Sequence, residues 1–294
     1  MSVSNIRITD CAVRLSSGGM HYFDRRSGLN LLDDSVKIEA ERQSMAPMFV
    51  SIALTNACNL SCLHCFAPKK EAMVQCERCI YWIDDLAENG CLGVGFGGGE
   101  PLLHPDFEKL CTYVHDKTKM ACTVTSNGTL WTDDLIERLD GKVDFLRIST
   151  NGNALPVELI QKLAIRFNVG INYLLTDATF GQLESTIKEA ALLGVQEVLI
   201  LPVIGTGRVM PMNQKRIMEL DCWLRSFPSP IRLTVSENGA ENLTAVTAIP
   251  GESGLRQYAH IAADGVLKRS SFMADGIIIG DKTISDILKE KEQP

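Results

Sequence analysis

The sequence lacks any hydrophobic run long enough to cross a bilayer. Its longest uninterrupted apolar stretch, residues 198–204, is far shorter than the ~20 residues that a spanning helix requires. Residues 1–5 also lack the basic start and the apolar block of a secretory signal. We therefore expect a protein that is neither inserted in a membrane nor exported.

Positive charge is also scarce. The 294 residues carry 29 lysines and arginines against 36 aspartates and glutamates, which gives a net charge of -7 at pH 7. No stripe of lysine and arginine supplies the electrostatic attraction that contact with a phosphate backbone requires. The sequence thus argues against a nucleic-acid partner, although it leaves room for a local basic pocket.

Cysteine, by contrast, is abundant, with ten residues. Disulfides belong to oxidising compartments, whereas the missing export signal and a cluster-like spacing of three cysteines favour a reducing one. We therefore expect a cytoplasmic protein. A composition of 45% hydrophobic and 22% charged residues is typical of one large globular domain with smaller attachments.

Strand-like apolar stretches alternate with amphipathic helical segments through the middle of the chain. The predicted strands cover residues 49–54, 91–96, 120–125, 143–149, 169–175 and 196–203. Repeated strand–helix units form a parallel sheet covered by helices. The predicted fold is therefore of the α/β class, a partial parallel (β/α)6 barrel, and such barrels carry their chemistry at the carboxyl ends of the strands.

The two ends of the chain have a different pattern. Residues 1–47 are predicted to form a small N-terminal β unit and a linker, residues 48–236 the barrel, and residues 237–294 a C-terminal extension with a hairpin and a final helix. The N-terminal unit either packs against the barrel or binds a peptide along a free strand edge.

Three cysteines, Cys58, Cys62 and Cys65, stand at a three-then-two spacing directly after the first predicted strand. Three thiolates can hold three irons of a [4Fe-4S] cluster and leave the fourth iron without a protein ligand. An open iron is a place where a substrate can bind. Zinc is the alternative, although zinc prefers a closed set of four ligands and its common knuckles use Cys-x2-Cys pairs.

A glycine turn follows the next predicted strand, with Gly97, Gly98, Gly99, Glu100 and Pro101 in succession. Together with the cysteine run, it resembles the radical S-adenosylmethionine (radical SAM) superfamily, in the branch that contains peptide-maturing enzymes and builders of molybdopterin and other cofactors. The resemblance covers roughly residues 48–236 in a continuous order of motifs.

The resemblance implies a [4Fe-4S] cluster on the three cysteines, with SAM chelated at the open iron through its amino and carboxylate groups. In this family an electron from the cluster breaks a carbon–sulfur bond of SAM, which gives methionine and a 5'-deoxyadenosyl radical that takes a hydrogen atom from the substrate. The implied electron donor is a flavodoxin- or ferredoxin-type protein. The cofactor supplies the radical chemistry. The protein binds the substrate, orients it and excludes water.

The resemblance also implies a set of SAM-binding positions in the loops and at the strand ends that face the barrel mouth. They are His64, Gly97, Gly98, Gly99, Glu100, Ser126, Ser149 and Val203. The resemblance places His64 and the last strand, with Val203, against adenine, and the serines near the ribose and carboxylate. The backbone of the glycine turn meets the ammonium group, because a Cβ would block its close approach. No catalytic residue is assigned.

Two of these positions have a structural alternative. Ser126 precedes Asn127-Gly128, a pair that favours a tight turn whether or not a ligand binds, and Val203 can pack in the core. Arg147 and Arg208 can each meet a carboxylate of the substrate or of SAM, or form structural pairs.

Cys76 and Cys79 fall on one helical stripe with apolar residues, which predicts that they are small core residues. The alternative is a redox pair, or partial ligation of a second cluster.

The preferred substrate is a ribosomally made peptide, because the N-terminal unit and the C-terminal hairpin resemble parts of peptide-maturing members. No cysteine follows Cys222, however, so the auxiliary clusters of such extensions are not expected. A small molecule such as an amino acid, a sugar or a cofactor precursor is the alternative substrate. A zinc or iron–sulfur sensor protein without turnover is the non-enzymatic alternative.

Overall fold

The structure is a computed structural model that describes residues 7–150, 154–203, 210–240, 242–246 and 252–292. Its main sheet contains seven parallel strands that are neighbours in chain order. These strands are β4 (Phe49–Thr55), β5 (Gly93–Gly98), β6 (Ala121–Ser126), β7 (Phe145–Ser149), β8 (Asn168–Leu175), β9 (Glu197–Pro202) and β10 (Arg232–Val235). The first six confirm the predicted strands, and β10 was not predicted.

Helices connect the parallel strands and cover the sheet. They are α1 (Cys76–Glu88), α2 (Phe107–Lys117), α3 (Asp133–Leu139), α4 (Val157–Arg166), α5 (Leu183–Leu192) and α6 (Gln214–Ser226). Helix α3 begins after Thr132, whose hydroxyl accepts a hydrogen bond from the Leu135 amide at 3.2 Å. The predicted α/β class with a partial parallel barrel is therefore confirmed.

The helices and the sheet enclose the main hydrophobic core. Cys76 and Cys79 lie within it, with 5% and 0% of their surface exposed. Burial raises the pKa of the Cys79 thiol well above its ordinary value. The prediction that both are small core residues is confirmed.

The N-terminal unit is an antiparallel sheet of β1 (Ala12–Ser16), β2 (Gly19–Asp24) and β3 (Leu29–Asp33), with β2 in the middle. It packs at the amino ends of the parallel strands, where the rings of Phe23 and Phe49 meet at 5.5 Å. The buried Arg14 side chain fastens it further, with bonds to the Glu252 carboxylate at 2.5 Å and to the Ala46 carbonyl at 2.8 Å. The prediction that this unit packs against the barrel is confirmed.

The C-terminal extension is part of the main sheet. After the short helix α7 (Glu237–Ala240) come β11 (Tyr258–Ile261), β12 (Val266–Lys268), β13 (Ile277–Ile278) and the last helix, α8 (Ile284–Glu292). Strands β11 and β12 form the predicted hairpin, but β11 also pairs in parallel with β4, with His260 opposite Ser51. The hairpin therefore forms part of the barrel wall, and the predicted boundary at residue 237 stays a prediction.

Candidate functional site

A cavity of about 420 Å³, called here the central cavity, opens at the carboxyl ends of the parallel strands. Its walls contain every predicted cluster and SAM position except Glu100. Those positions are Cys58, Cys62, His64, Cys65, Gly97, Gly98, Gly99, Ser126, Ser149 and Val203. Residues from different loops meet here because the carboxyl ends of parallel strands share one edge of the sheet.

The cysteine loop is the segment after β4 that carries Cys58, Cys62 and Cys65. Its two ends lie next to each other beside the carboxyl end of β4. The Asn56 amide donates to the Ala72 carbonyl at 2.9 Å, and the Val74 amide donates to the Leu54 carbonyl at 2.9 Å. These bonds close the base of the loop. Further along, the rings of Phe66 and Phe272 meet at 4.1 Å, which connects the loop to the segment after β12.

The three thiols of this loop are partly exposed and face the central cavity. Burial and the neighbouring Cys65 and Cys58 thiols raise the pKa of Cys62, and a bound cation would reverse that shift. The Lys69 ammonium lies 3.4 Å from the Cys65 sulfur. Among the described residues, no three histidine, cysteine or acidic side chains are arranged to hold a single metal ion.

The glycine turn after β5 clamps the base of the cysteine loop. The Gly99 amide donates to the Thr55 carbonyl at 2.7 Å, and the Glu100 amide donates to the Ala57 carbonyl at 2.8 Å. A Cβ on Gly99 would stand 2.1 Å from the Ala57 oxygen, and a Cβ on Gly98, whose φ is +125°, would stand 2.3 Å from the Thr55 oxygen. Contact between the two loops thus requires both glycines.

Gly97 differs from the two glycines that follow it. A Cβ built on Gly97 meets no atom within 4 Å, although the residue lines the central cavity. The space that such a Cβ would enter is therefore open to a ligand. The cysteine loop explains Gly98 and Gly99, whereas a close approach of SAM at Gly97 stays a prediction.

Glu100 lies behind the cavity wall and is fully buried. Its carboxylate accepts hydrogen bonds from the Ser126 hydroxyl and the Asn127 amide, both at 2.8 Å. Burial raises the pKa of Glu100, and these hydrogen bonds oppose the rise. The side chain thus positions the loop after β6, and any contact of Glu100 with SAM stays a prediction.

The Ser126 hydroxyl forms three hydrogen bonds, all of them with other protein groups. It donates to Glu100 and accepts from the Gly128 amide at 3.0 Å and the Trp131 indole at 3.2 Å. The next residue, Asn127, reaches the cysteine loop instead: its Nδ2 donates to Asn59 Oδ1 at 2.9 Å and lies 3.9 Å from the Cys58 sulfur. The Asn127 side chain therefore links the two loops.

Ser149 has a polar neighbour that the sequence did not single out. Asn172 on β8 lies opposite it, with its Nδ2 at 3.5 Å from the Ser149 hydroxyl. The Asn172 Oδ1 atom is buried and has no hydrogen-bond partner among the described residues. Since both residues line the central cavity, this wall offers a hydrogen-bond acceptor to a ligand.

Arg147 is a structural residue. Its guanidinium bonds the Glu197 carboxylate at 2.6 Å, and Arg232 bonds the other oxygen at 2.5 Å. Burial would raise the pKa of Glu197, but the two arginines outweigh it and lower that pKa. Arg208 lies outside the described residues, as do residues 151–152 and 205–207 of the loops predicted at the mouth.

A second polar group in the cavity was missed by the sequence reasoning. The Ser51 hydroxyl lies 2.6 Å from the Tyr258 hydroxyl and 2.7 Å from His260 Nδ1. Burial and the nearby Lys268 lower the pKa of His260 to about 4, so its ring is neutral at physiological pH. All four residues line the central cavity, and the pairing of β11 with β4 and of β12 with β11 brings them together.

No helix in the described part of the chain combines the length and apolarity that crossing a bilayer demands.

Comparisons with known proteins identify related sequences and folds. The sequence model of the Radical SAM superfamily matches residues 52–207. The AdoMet-dependent heme synthase of Methanosarcina barkeri is 25% identical over 202 residues, which cover 59% of this chain and 57% of that protein. The sporulation killing factor maturation protein SkfB of Bacillus subtilis is 33% identical over 138 residues, which cover 45% of this chain and 33% of that protein.

Among solved structures, Streptococcus suis SuiB bound to the precursor peptide SuiA superposes with a TM-score of 0.74. It is 14% identical, and the match covers 97% of this chain and 88% of that chain. At this identity the likeness shows the shared fold. The sequence matches span little more than half of the heme synthase and about a third of SkfB.

Proposed function

The chain belongs to the radical SAM superfamily, and from that premise we propose that it is an enzyme that cleaves SAM reductively and takes a hydrogen atom from a peptide substrate. The single observation that carries the proposal is the convergence of three thiols and the open side of Gly97 on one cavity. The family implies SAM and an iron–sulfur cluster, and the residues present fit both.

We propose that Cys58, Cys62 and Cys65 hold a [4Fe-4S] cluster. The fit rests on the donor set, because three soft thiols are the ligands that iron–sulfur clusters require. When bound, the cluster and SAM together supply the electron transfer, the carbon–sulfur cleavage and the hydrogen abstraction.

The chain itself binds, orients and excludes water. The open backbone at Gly97 gives a ligand close access, and the Asn172 Oδ1 atom accepts a hydrogen bond from it. Apolar side chains on β8 and β9, with Leu174, Leu199 and Leu201 on the cavity wall, keep water from the reacting groups. His64 and Val203 line the same cavity and are proposed to pack against adenine.

A ribosomally made peptide is the proposed substrate. Its support is the match to SkfB, whose name describes a maturation protein, and the fold shared with SuiB, which was solved with a precursor peptide. Within the described residues, β3 has a sheet neighbour on one side only, and Leu31 and Leu32 are half exposed there. That edge offers a place for a peptide strand to pair.

A small molecule is the second candidate substrate. The broader of the two sequence matches is to a protein named as a heme synthase, and residues 223–294 contain no cysteine that could bind an auxiliary cluster. A zinc-binding module without turnover is the remaining alternative, which membership of the superfamily disfavours.

The proposal is tested by anaerobic reconstitution. Wild-type protein should bind about four irons and four sulfides per chain, show a paramagnetic signal after reduction that changes when SAM is added, and release 5'-deoxyadenosine. Cys62→Ala should lose the cluster, whereas Cys76→Ala, which changes a core cysteine, should keep its iron. Bound zinc instead of iron, or a signal unaffected by SAM, would contradict the proposal.

The substrate class needs a separate measurement. Mass spectrometry after anaerobic turnover, with peptides encoded near the gene and with small metabolites as parallel substrates, should show a mass change in a peptide. A product from a metabolite alone would favour the second candidate.

A further inference from the structure

Resting on the proposed function, we infer that the substrate carries a carboxylate, and that Lys268 binds it in a subsite completed by Ser51 and His260. The subsite lies on strands β4, β11 and β12, next to one another in the sheet. Ser51 stands opposite His260, and His260 stands opposite Lys268. Because side chains alternate along a strand, facing residues of neighbouring strands share one side of the sheet, and here that side is the cavity side.

Charge is the first argument. Among the described residues that line the central cavity, Lys268 is the only lysine or arginine, and no aspartate or glutamate is present. Lys268 is half-buried and forms no ion pair within the described part of the chain. A cation in a partly enclosed cavity with apolar walls is stabilised by an anionic ligand.

The hydrogen-bond network is the second argument. In the proposed subsite the Ser51 hydroxyl donates to His260 Nδ1, which places the hydrogen of the neutral ring on Nε2. Within the described residues, Nε2 has no partner. The neutral ring can therefore donate one hydrogen bond beside the Lys268 ammonium. One ammonium and one neutral donor match a carboxylate better than a phosphate, which proteins usually bind with several charged groups.

Position separates this subsite from the SAM contacts. Ala53 pairs with Gly97, and Ser51 pairs with Gly95, two residues nearer the amino ends of the strands. At ~3.3 Å per residue, the subsite lies roughly 7 Å deeper in the cavity than the Gly97 backbone. A carboxylate held there would orient the rest of a substrate toward the cysteine loop at the mouth.

The test uses reconstituted wild-type protein labelled with 15N-histidine, in which His260→Gln identifies one of the five histidine signals. The probe is N-acetylglycine, added after saturation with SAM. It should shift the His260 signal in a saturable way, whereas N-acetylglycinamide, its uncharged counterpart, should not. Lys268→Met should weaken probe binding by about tenfold or more, because a charge-assisted hydrogen bond is lost.

Controls separate the possible outcomes. Lys268→Arg, which keeps the charge, should retain binding, and Lys215→Met, which changes an exposed lysine outside the cavity, should leave it unchanged. Equal shifts from the acid and the amide, or unchanged binding in Lys268→Met when Lys268→Arg confirms a folded subsite, would overturn the inference. So would tighter binding of inorganic phosphate, or a shift caused by SAM alone that blocks the probe.

The proposed function fails independently of this subsite. The binding experiment needs no turnover, so wild-type protein that binds the probe but forms no 5'-deoxyadenosine contradicts the proposed function alone. Wild-type protein that cleaves SAM but ignores N-acetylglycine contradicts the subsite alone.

Discussion

At the scale of single residues, the polar residues in and around the cavity wall fall into two groups. Some bond other protein groups and hold the wall in place, and others face the cavity, where a ligand can reach them. Glu100 and Arg147 are charged, yet each bonds protein partners. Asn172 and Lys268 carry polar groups without protein partners in the described residues, and both face the cavity. Within the cavity lining, these unpaired polar groups are where we expect a ligand to bind.

His260 provides the prediction at this scale. Its lowered pKa means that, between pH 6.5 and about 4, the unfolded chain binds a proton that the folded protein does not. The stability contributed by the neutral ring is thus complete above pH 6.5 and is lost as the pH falls toward 4.

An NMR titration of the 15N-labelled ring of His260 should give a midpoint near 4. Lys268→Met should raise that midpoint, because Lys268 adds to the effect of burial. A midpoint near the ordinary value of 6.5 in wild-type protein would show that the ring is hydrated or charged.

At the scale of elements, the turn after β5 and the loop after β4 form one unit. The turn donates two backbone hydrogen bonds to the base of the cysteine loop, and its glycines allow that approach. The loop after β6 adds the Asn127 bond to Asn59. Hydrogen bonds thus hold the loops after β4, β5 and β6 against one another. The thiols of the cysteine loop are held in position although they are only partly buried.

Adjacent glycines of this turn should respond differently to the same substitution. Gly99→Ala places a Cβ against the Ala57 carbonyl, so the cysteine loop must move and the protein should lose most of its iron. Gly97→Ala meets open space and should keep its iron, but the added methyl should weaken SAM binding by about tenfold, since overpacking costs roughly 1–3 kcal/mol.

Iron analysis and SAM titration of the reduced protein measure both effects. Gly97→Ala with unchanged SAM affinity would contradict a close approach of SAM at this backbone. Gly99→Ala with full iron content would show that the clamp is dispensable for the cluster.

At the scale of the whole molecule, the N-terminal unit and the central cavity lie at opposite ends of the parallel strands. Phe23 packs on Phe49, the first residue of β4, whereas the cysteine loop follows Thr55, the last one. At ~3.3 Å per residue, a strand of this length spans roughly 20 Å. A peptide paired with β3 would therefore need an extended stretch of about seven residues to reach the mouth.

Hydrogen exchange tests that arrangement. A bound peptide substrate should slow exchange of the amides of β3, while those of β1 serve as an internal control, because the Ser44 amide already covers that edge through its bond to the Leu15 carbonyl. Unchanged exchange in β3, together with turnover of a small metabolite, would favour the second candidate substrate.

Hydrophobic patterning along the chain was enough to predict the six strands, their parallel order and the meeting of the predicted ligands at one mouth. Hydrophobic periodicity is local, and the carboxyl ends of consecutive parallel strands meet whatever the details of packing. The thiol spacing is equally local, so Cys58, Cys62 and Cys65 are predicted as cluster ligands from the sequence alone.

The pairing of β11 with β4 is visible only in the folded protein, where it joins His260 to Ser51 across more than 200 positions. Only the packed fold buried Glu100 and left Asn172 and Lys268 facing the cavity. These outcomes depend on which distant surfaces meet and on which polar groups find partners there, and a local pattern carries neither.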